Sequence, residues 1–231
     1  MRTSALLVAG LTMISASAAN ADVLYLTTPT NSSVRSTDFG LNSQFGFRTF
    51  DDFVLGIDAT VQTVRWSGIW IPGTSGAPAP APDVTTWDVA FYADAAGTPG
   101  ALLASHSFAA ADVSSTFLGT QGWIFGDPYN TSVYAYAATL PSGFGVTAGE
   151  RYWLSVFSTS PSFSPQFAWY ATAGNGTSLQ QQLGAGMSVV ATNEVARNRA
   201  FGLDGSVPEP GTLLLLGTAA AGLALRRRRN G

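Results

Sequence analysis

Side chains able to move protons, attack carbon or hold metal are scarce in this chain. Of 231 residues one is histidine, His106; there is no cysteine and no lysine, so all 11 cations are arginines. Metal sites built on several imidazoles or on thiolates are excluded, and a Ser-His-Asp triad would have to use His106. His106 lies in LLASHSFAA, alternating with Leu102, Ala104 and Phe108. That pattern predicts a half-buried or edge position on a strand rather than a general base. No serine sits in a G-x-S-x-G elbow. Asp51-Asp52 is the only adjacent acidic pair. Successive strand residues face opposite ways, so the two carboxylates cannot easily close on one ion. A structural Ca2+ there, helped by loop carbonyls, is the single metal expectation. Asp94 and Asp127 stand beside turn residues, where Asx turns explain them. Sequence spacing says nothing about spatial pairing of the 14 acids, so a polysaccharide-active enzyme is the least favoured reading. The expectation is no catalytic centre and no cofactor.

The six tryptophans offer a different chemistry, stacking on sugar rings. In TVQTVRWSGIWI (residues 60–71) Val64, Trp66, Gly68 and Trp70 share one face. In TWDVAFY (residues 86–92) Trp87, Val89 and Phe91 do the same. Period-2 alternation with other apolar residues assigns these to a core. Trp123, in GTQGWIFGDPYN, and Trp169 beside Tyr170 lie nearest to turn-forming residues. Trp123, Trp169 and Tyr170 are therefore the expected exposed aromatics.

These residues need strands to position them. Further alternating or β-branched runs cover 49–55, 102–108, 132–140, 151–158, 166–171, 187–191 and 200–203. Turn signals separate them at Gly97–Gly100, Gly126–Pro128, Pro141–Gly143 and Gly174–Gly176. Leu179 to Leu183 reads as a single helical turn. Roughly nine to eleven short strands spaced about 8–20 residues apart predict an all-β fold, a β-sandwich of jelly-roll-like type. There is no internal repeat. Residues 72–83, PGTSGAPAPAPD, should run as an extended surface loop.

Charge narrows the partners. Between Asp22 and Gly211 six arginines face 14 acidic residues, a net of −8. Such a surface argues against nucleic acid and against anionic lipid headgroups. The remaining five arginines lie at the two ends: Arg2, and Arg226, Arg227, Arg228 and Arg229.

The ends themselves read as targeting segments. Arg2, an apolar run from Ala5 to Ile14 and small residues ending in Ala19-Asn20-Ala21 form a secretory signal peptide over 1–21, cut after Ala21. This leaves 22–206 as one domain of 185 residues, long enough for a core without disulfides. The third segment, 207–231, is VPEPGTLLLLGTAAAGLALRRRRNG. Its uncharged stretch, Gly211 to Leu225, is 15 residues. As a helix that spans about 22 Å against a hydrocarbon core of about 30 Å. The result is a weak single C-terminal transmembrane helix, with the arginines held inside and everything before it outside.

This tail resembles the PEP-CTERM sorting signal: Pro208-Glu209-Pro210, preceded by Val207, then a short apolar span and an arginine cluster. The resemblance implies recognition by exosortase, a transpeptidase-like enzyme of the inner membrane in Gram-negative bacteria that make exopolysaccharide. It also implies a transiently anchored precursor, later released or passed to the cell surface. Two prolines keep the tripeptide extended, as a processing enzyme requires. The stretches DDFVL, VRWSGIW, VAFYADAAGTPGALLAS and VTAGERYWLSV resemble extracellular sandwich domains found with such tails, a likeness that carries no activity. Two functional classes follow. One is a non-catalytic structural or adhesive surface component associated with exopolysaccharide. The other is a carbohydrate-binding module using exposed aromatics.

Overall fold

The computed structural model describes residues 21–39, 45–71, 84–122, 130–160, 166–172 and 176–208. Fourteen strands follow in chain order: β1 (Asp22–Leu26), β2 (Pro29–Arg35), β3 (Thr37–Phe39), β4 (Phe45–Val54), β5 (Ala59–Ile71), β6 (Thr86–Asp94), β7 (Pro99–Ala109), β8 (Ser114–Gly122), β9 (Asn130–Val146), β10 (Arg151–Ser160), β11 (Gln166–Thr172), β12 (Thr177–Gly184), β13 (Val189–Ala196) and β14 (Phe201–Ser206). Among the described residues the only helical pieces are two 3-10 turns, Ala110–Asp112 and Ala185–Met187. The strands form two seven-stranded sheets, the all-β, two-layer arrangement that the alternation predicts.

The first sheet is organised by β5, whose 13 residues carry neighbours on both edges. Along one edge runs β9, followed by β8. Along the other, β14 pairs with residues 60–66 and β11 with residues 68–71. β1 closes on β14, and β2 on β11. The second sheet runs β13-β12-β4-β3-β10-β6-β7, with β4 also pairing β10.

Alternation explains why the two sheets meet. Val64, Trp66 and Trp70 of β5, Tyr136 and Ala138 of β9, and Phe167 and Trp169 of β11 belong to one buried cluster with Phe53, Trp87, Val89, Phe91, Leu154 and Val156 of the second sheet. Trp87 is its hub. Its ring lies 4.8 Å from Phe167, 4.8 Å from Tyr136 and 5.3 Å from Trp66, centroid to centroid. The Trp70 indole N–H donates to Tyr136 Oη at 2.7 Å, which satisfies the one polar atom an indole brings inside. Gly68 makes the packing possible, because a Cβ there would fall 2.2 Å from the Phe167 ring. Trp87→Ala is expected to cost about 3–5 kcal/mol, as for large aromatics removed from a core. A denaturant midpoint unchanged from wild type would show that the two sheets do not depend on this ring.

Two local expectations are corrected. Residues 179–183 lie within β12 and do not form a helical turn. Leu179 and Leu183 are four apart, a spacing that suits one helical turn and one face of a strand equally. Ladders to β4 on one edge and β13 on the other decide it. Pro141–Gly143 is not a turn between strands but a bulge inside β9. Val61 pairs with Phe144 and Thr63 with Thr139, so four residues of β9 stand opposite one of β5.

The sheet edges share one device. β7, β8 and β13 each carry a bulge in which the partner strand passes over an apolar residue: Leu103, Leu118 and Val190. All three are exposed. A bulge twists an edge and breaks the flat ladder that another chain could extend.

Candidate functional site

β14 delivers the tail. It is held on both sides, by β5 (Ser206 opposite Thr60) and by β1 (Gly205 opposite Asp22). Arg65 Nη2 bonds Asp204 Oδ1 at 2.6 Å across that pairing. The strand leaves the sandwich at Ser206, and Val207 and Pro208 are exposed. Because β1 runs antiparallel to β14, the first residue of β1 stands beside the last residues of β14. The two chain ends therefore depart from the same end of the first sheet.

That end has a knitted rim. Ala59 pairs with Val146, so the connections 55–58 and 147–150 lie beside the exit. The Ala148 N–H donates to Asp58 Oδ1 at 2.8 Å, and the Gly149 N–H to the Leu55 carbonyl at 2.8 Å. Tyr152 Oη accepts from the Thr147 N–H at 3.2 Å and donates to Glu150 Oε2 at 2.8 Å. Asp22, Ile57, Asp58 and Glu150 are exposed around it.

The arrangement defines a two-sheet β-sandwich whose final strand presents a C-terminal tail from a firm end. Residues 206–229 match the family model described as the PEP-CTERM protein-sorting motif. The match begins on the last residue of β14 and covers the tail alone. The motif marks a chain for export, exosortase processing and sorting to the cell surface. No curated protein and no solved structure matches the chain. Val207 and Pro208 belong to the described residues. Glu209, Pro210 and Arg226 to Arg229, with the apolar span, lie outside them. Among the described residues no helix is long and apolar enough to cross a membrane. The residues read as a signal peptide, up to Asn20, also lie outside them.

The expected sugar-stacking aromatics are corrected. Trp169 is 0% exposed and Tyr170 4%. Trp169 points into the sandwich against Phe201 and donates its indole N–H to the Ala200 carbonyl at 2.8 Å. Tyr170 packs on the opposite face of the first sheet with Ile69, Ile71 and Ala200, and burial pushes its hydroxyl up to about 12. Nearness in sequence to turn residues was the wrong signal. β11 is flanked by β5 and β2, and all seven of its residues are buried, as an apolar run of that length in an interior strand should be. Trp123 lies outside the described residues.

The sequence reading missed an aromatic layer on the outer face of the second sheet. Trp153 and Phe50 pack there with Leu179 and Tyr92. The Trp153 indole N–H donates to Asp94 Oδ1 at 2.8 Å, which holds that carboxyl below its usual range, helped by the Gly97 N–H. Arg48 sits 4.3 Å over the Phe157 ring and donates to Tyr92 Oη at 3.3 Å. In RYWLSVFS the apolar residues occupy both parities, so alternation could not mark a second buried face. Asp94 thus holds Trp153 as well as its own turn.

Asp51 and Asp52 diverge as strand geometry requires. Asp52 faces outward, 3.5 Å from Arg151 Nε. Asp51 points inward with no exposure. Among the described residues no group of three His, Asp or Glu side chains could hold a metal ion. Asp51 faces the end of the chain instead. Its Oδ2 accepts the backbone N–H of Arg199 at 2.6 Å, and its Oδ1 has no partner. The Arg199 side chain is buried too, and donates through Nη2 to the carbonyls of Ala196, at 2.9 Å, and Arg197. Burial pushes the Asp51 carboxyl up to about 8, against the opposing pull of the Arg199 N–H and guanidinium. Burial likewise lowers Arg199 to about 10. Nothing in the sequence marks Arg199 for the interior, because Asp51 and Ala171, which meet its backbone, are far from it along the chain. His106 is half-buried on edge strand β7, with its ring 6.3 Å from Phe108.

Proposed function

We infer that the chain is a non-catalytic structural or adhesive component of the cell surface or extracellular matrix, associated with exopolysaccharide. In this reading a signal peptide is removed after Ala21. The precursor is then held in the inner membrane by its C-terminal span, with Arg226 to Arg229 inside, until exosortase reads Pro208-Glu209-Pro210. The observation that carries the reading is the sorting motif set directly on the last residue of β14. A second observation agrees with it. Cleavage after Ala21 would make Asp22 the new N-terminus, and Asp22 is the first residue of β1. The glycan-binding alternative loses Trp169 and Tyr170, which are core residues, and keeps only Trp123.

Glu209→Ala tests the sorting step in a host carrying exosortase. The tripeptide loses its only charged group, and a hydrogen bond to a charged group contributes about 1.5–3 kcal/mol, so maturation should slow by about tenfold or more. Precursor should accumulate in the membrane fraction. Replacing all four arginines should instead spoil orientation and retention before processing. A Glu209→Ala protein that matures at the wild-type rate would remove the motif from the mechanism. Co-sedimentation of the mature chain with purified exopolysaccharide tests the matrix role, and a chain that stays in the supernatant contradicts it.

A further inference from the structure

We propose that the exit end of the sandwich, Ile57, Asp58 and Glu150 beside the departing chain, is a docking surface for exosortase. The inference rests on reading the tail as an exosortase substrate and adds a second contact to the tripeptide. It starts from a length. One residue, Val207, separates the last residue of β14 from Pro208. A fully extended chain gains at most about 3.6 Å per residue, so Glu209 can stand no further than about 11 Å from Ser206. A membrane enzyme whose active site closes on Pro208-Glu209-Pro210 must therefore lie against the sandwich itself.

The structure shows what it would meet. Ser206 pairs with Thr60, two residues from Asp58, so the outgoing chain passes the 55–58 connection first. The 147–150 connection lies behind it, tied in by Asp58 and Tyr152. Ile57 is 48% exposed and Val207 37%. Large apolar residues presented to solvent by a fixed rim suit a protein contact. Asp22, Asp58 and Glu150 give the same end a negative charge that anionic lipid would repel. The occupant that fits is a protein surface with cations and apolar groups around its substrate cleft. A rigid end also holds the tail in one direction, which lowers the ordering cost of presenting it.

Pulse-labelled maturation in a host carrying exosortase tests this with three variants. Ile57→Arg changes an exposed side chain that has no polar role. Glu150→Gln removes the charge and keeps an acceptor for Tyr152. The third inserts ten Gly/Ser residues between Ser206 and Val207, a flexible spacer of about 17 Å root-mean-square length. The two substitutions should each slow maturation by about fivefold, equivalent to about 1 kcal/mol of lost contact. The spacer should slow it at least as much, and Ile57→Arg should add nothing on top of the spacer. Thermal melts matching wild type confirm that the rim is intact. Variants that mature at the wild-type rate, or a spacer that speeds processing, would mean the body is only an obstacle and would overturn the docking surface while leaving the motif reading standing. A wild-type chain that never matures overturns both. Glu209→Ala blocked while the rim variants are unaffected sinks this inference alone.

Discussion

Raising the pH from about 4 to about 8 is expected to remove stability from the folded chain through Asp51, by an upper bound on the order of 5 kcal/mol. The folded carboxyl is raised from 3.8 to about 8 because the sandwich excludes water from it. Between these values the unfolded chain releases the proton and the folded chain keeps it. The stabilising difference is therefore present at acid pH and lost as the pH climbs through the folded value. Arg199, lowered only to about 10, stays charged across this window and does not change the slope. Tyr25, pushed up to about 12, is also neutral throughout it. Asp94 opposes the trend at the acid end, since its folded value is lowered and its contribution is lost as the pH falls. Asp51→Asn should flatten the limb above pH 5. The amide keeps an acceptor for the Arg199 N–H and carries no charge to bury. Urea midpoints of wild type and Asp51→Asn between pH 4 and 9 measure this. Equal slopes in the two proteins would show that Asp51 is not the titrating group.

Gly205→Val is expected to unseat β14. A Cβ at Gly205 would lie 1.9 Å from the Thr60 carbonyl oxygen and 2.8 Å from its carbon, both backbone atoms. Neither can move without shifting β5. The site coincides with an irregularity, since Asp204 pairs with Thr63 but Gly205 with Val61. Gln62 is thus passed over on this edge, and it is the residue opposite the bulge of β9 on the other. Gly205 lets β14 close over that place. Overpacking against fixed backbone should cost about 3 kcal/mol or more. The loss spreads, because among the described residues β1 pairs with β14 alone. Gly145→Ala is the control: nothing lies within 4 Å of its Cβ position, and its effect should stay within about 1 kcal/mol. A Gly205→Val chain as stable as this control would show that β14 tolerates a side chain there.

Legibility of this protein in its sequence followed physical rules residue by residue. Where one face is buried and the other wet, alternation names the core. Val64, Trp66 and Trp70 of β5, and Trp87, Val89 and Phe91 of β6, are all buried as the pattern requires. Where both faces are covered, alternation carries no information. Trp153 and Phe157 on β10, and Tyr170 on β11, were unreadable for that reason. β1, β2, β3 and β8 are polar or short, and pairing partners rather than apolar periodicity make them strands.

The sequence by itself determined the handling of this chain and the class of its fold. A linear recognition motif works as an extended peptide, so Pro208-Glu209-Pro210, the apolar run after it and the four arginines can be read without a structure. The all-β class follows because strand periodicity is local. Tertiary structure decided what depends on residues far apart in the chain. It buried Asp51 against the backbone of Arg199, 148 positions away. It turned Trp169 inward onto the Ala200 carbonyl. It set Asp22 beside Gly205, so that both ends leave together. Such neighbours are chosen by which strands pair across the two sheets, and no spacing along the chain records that choice.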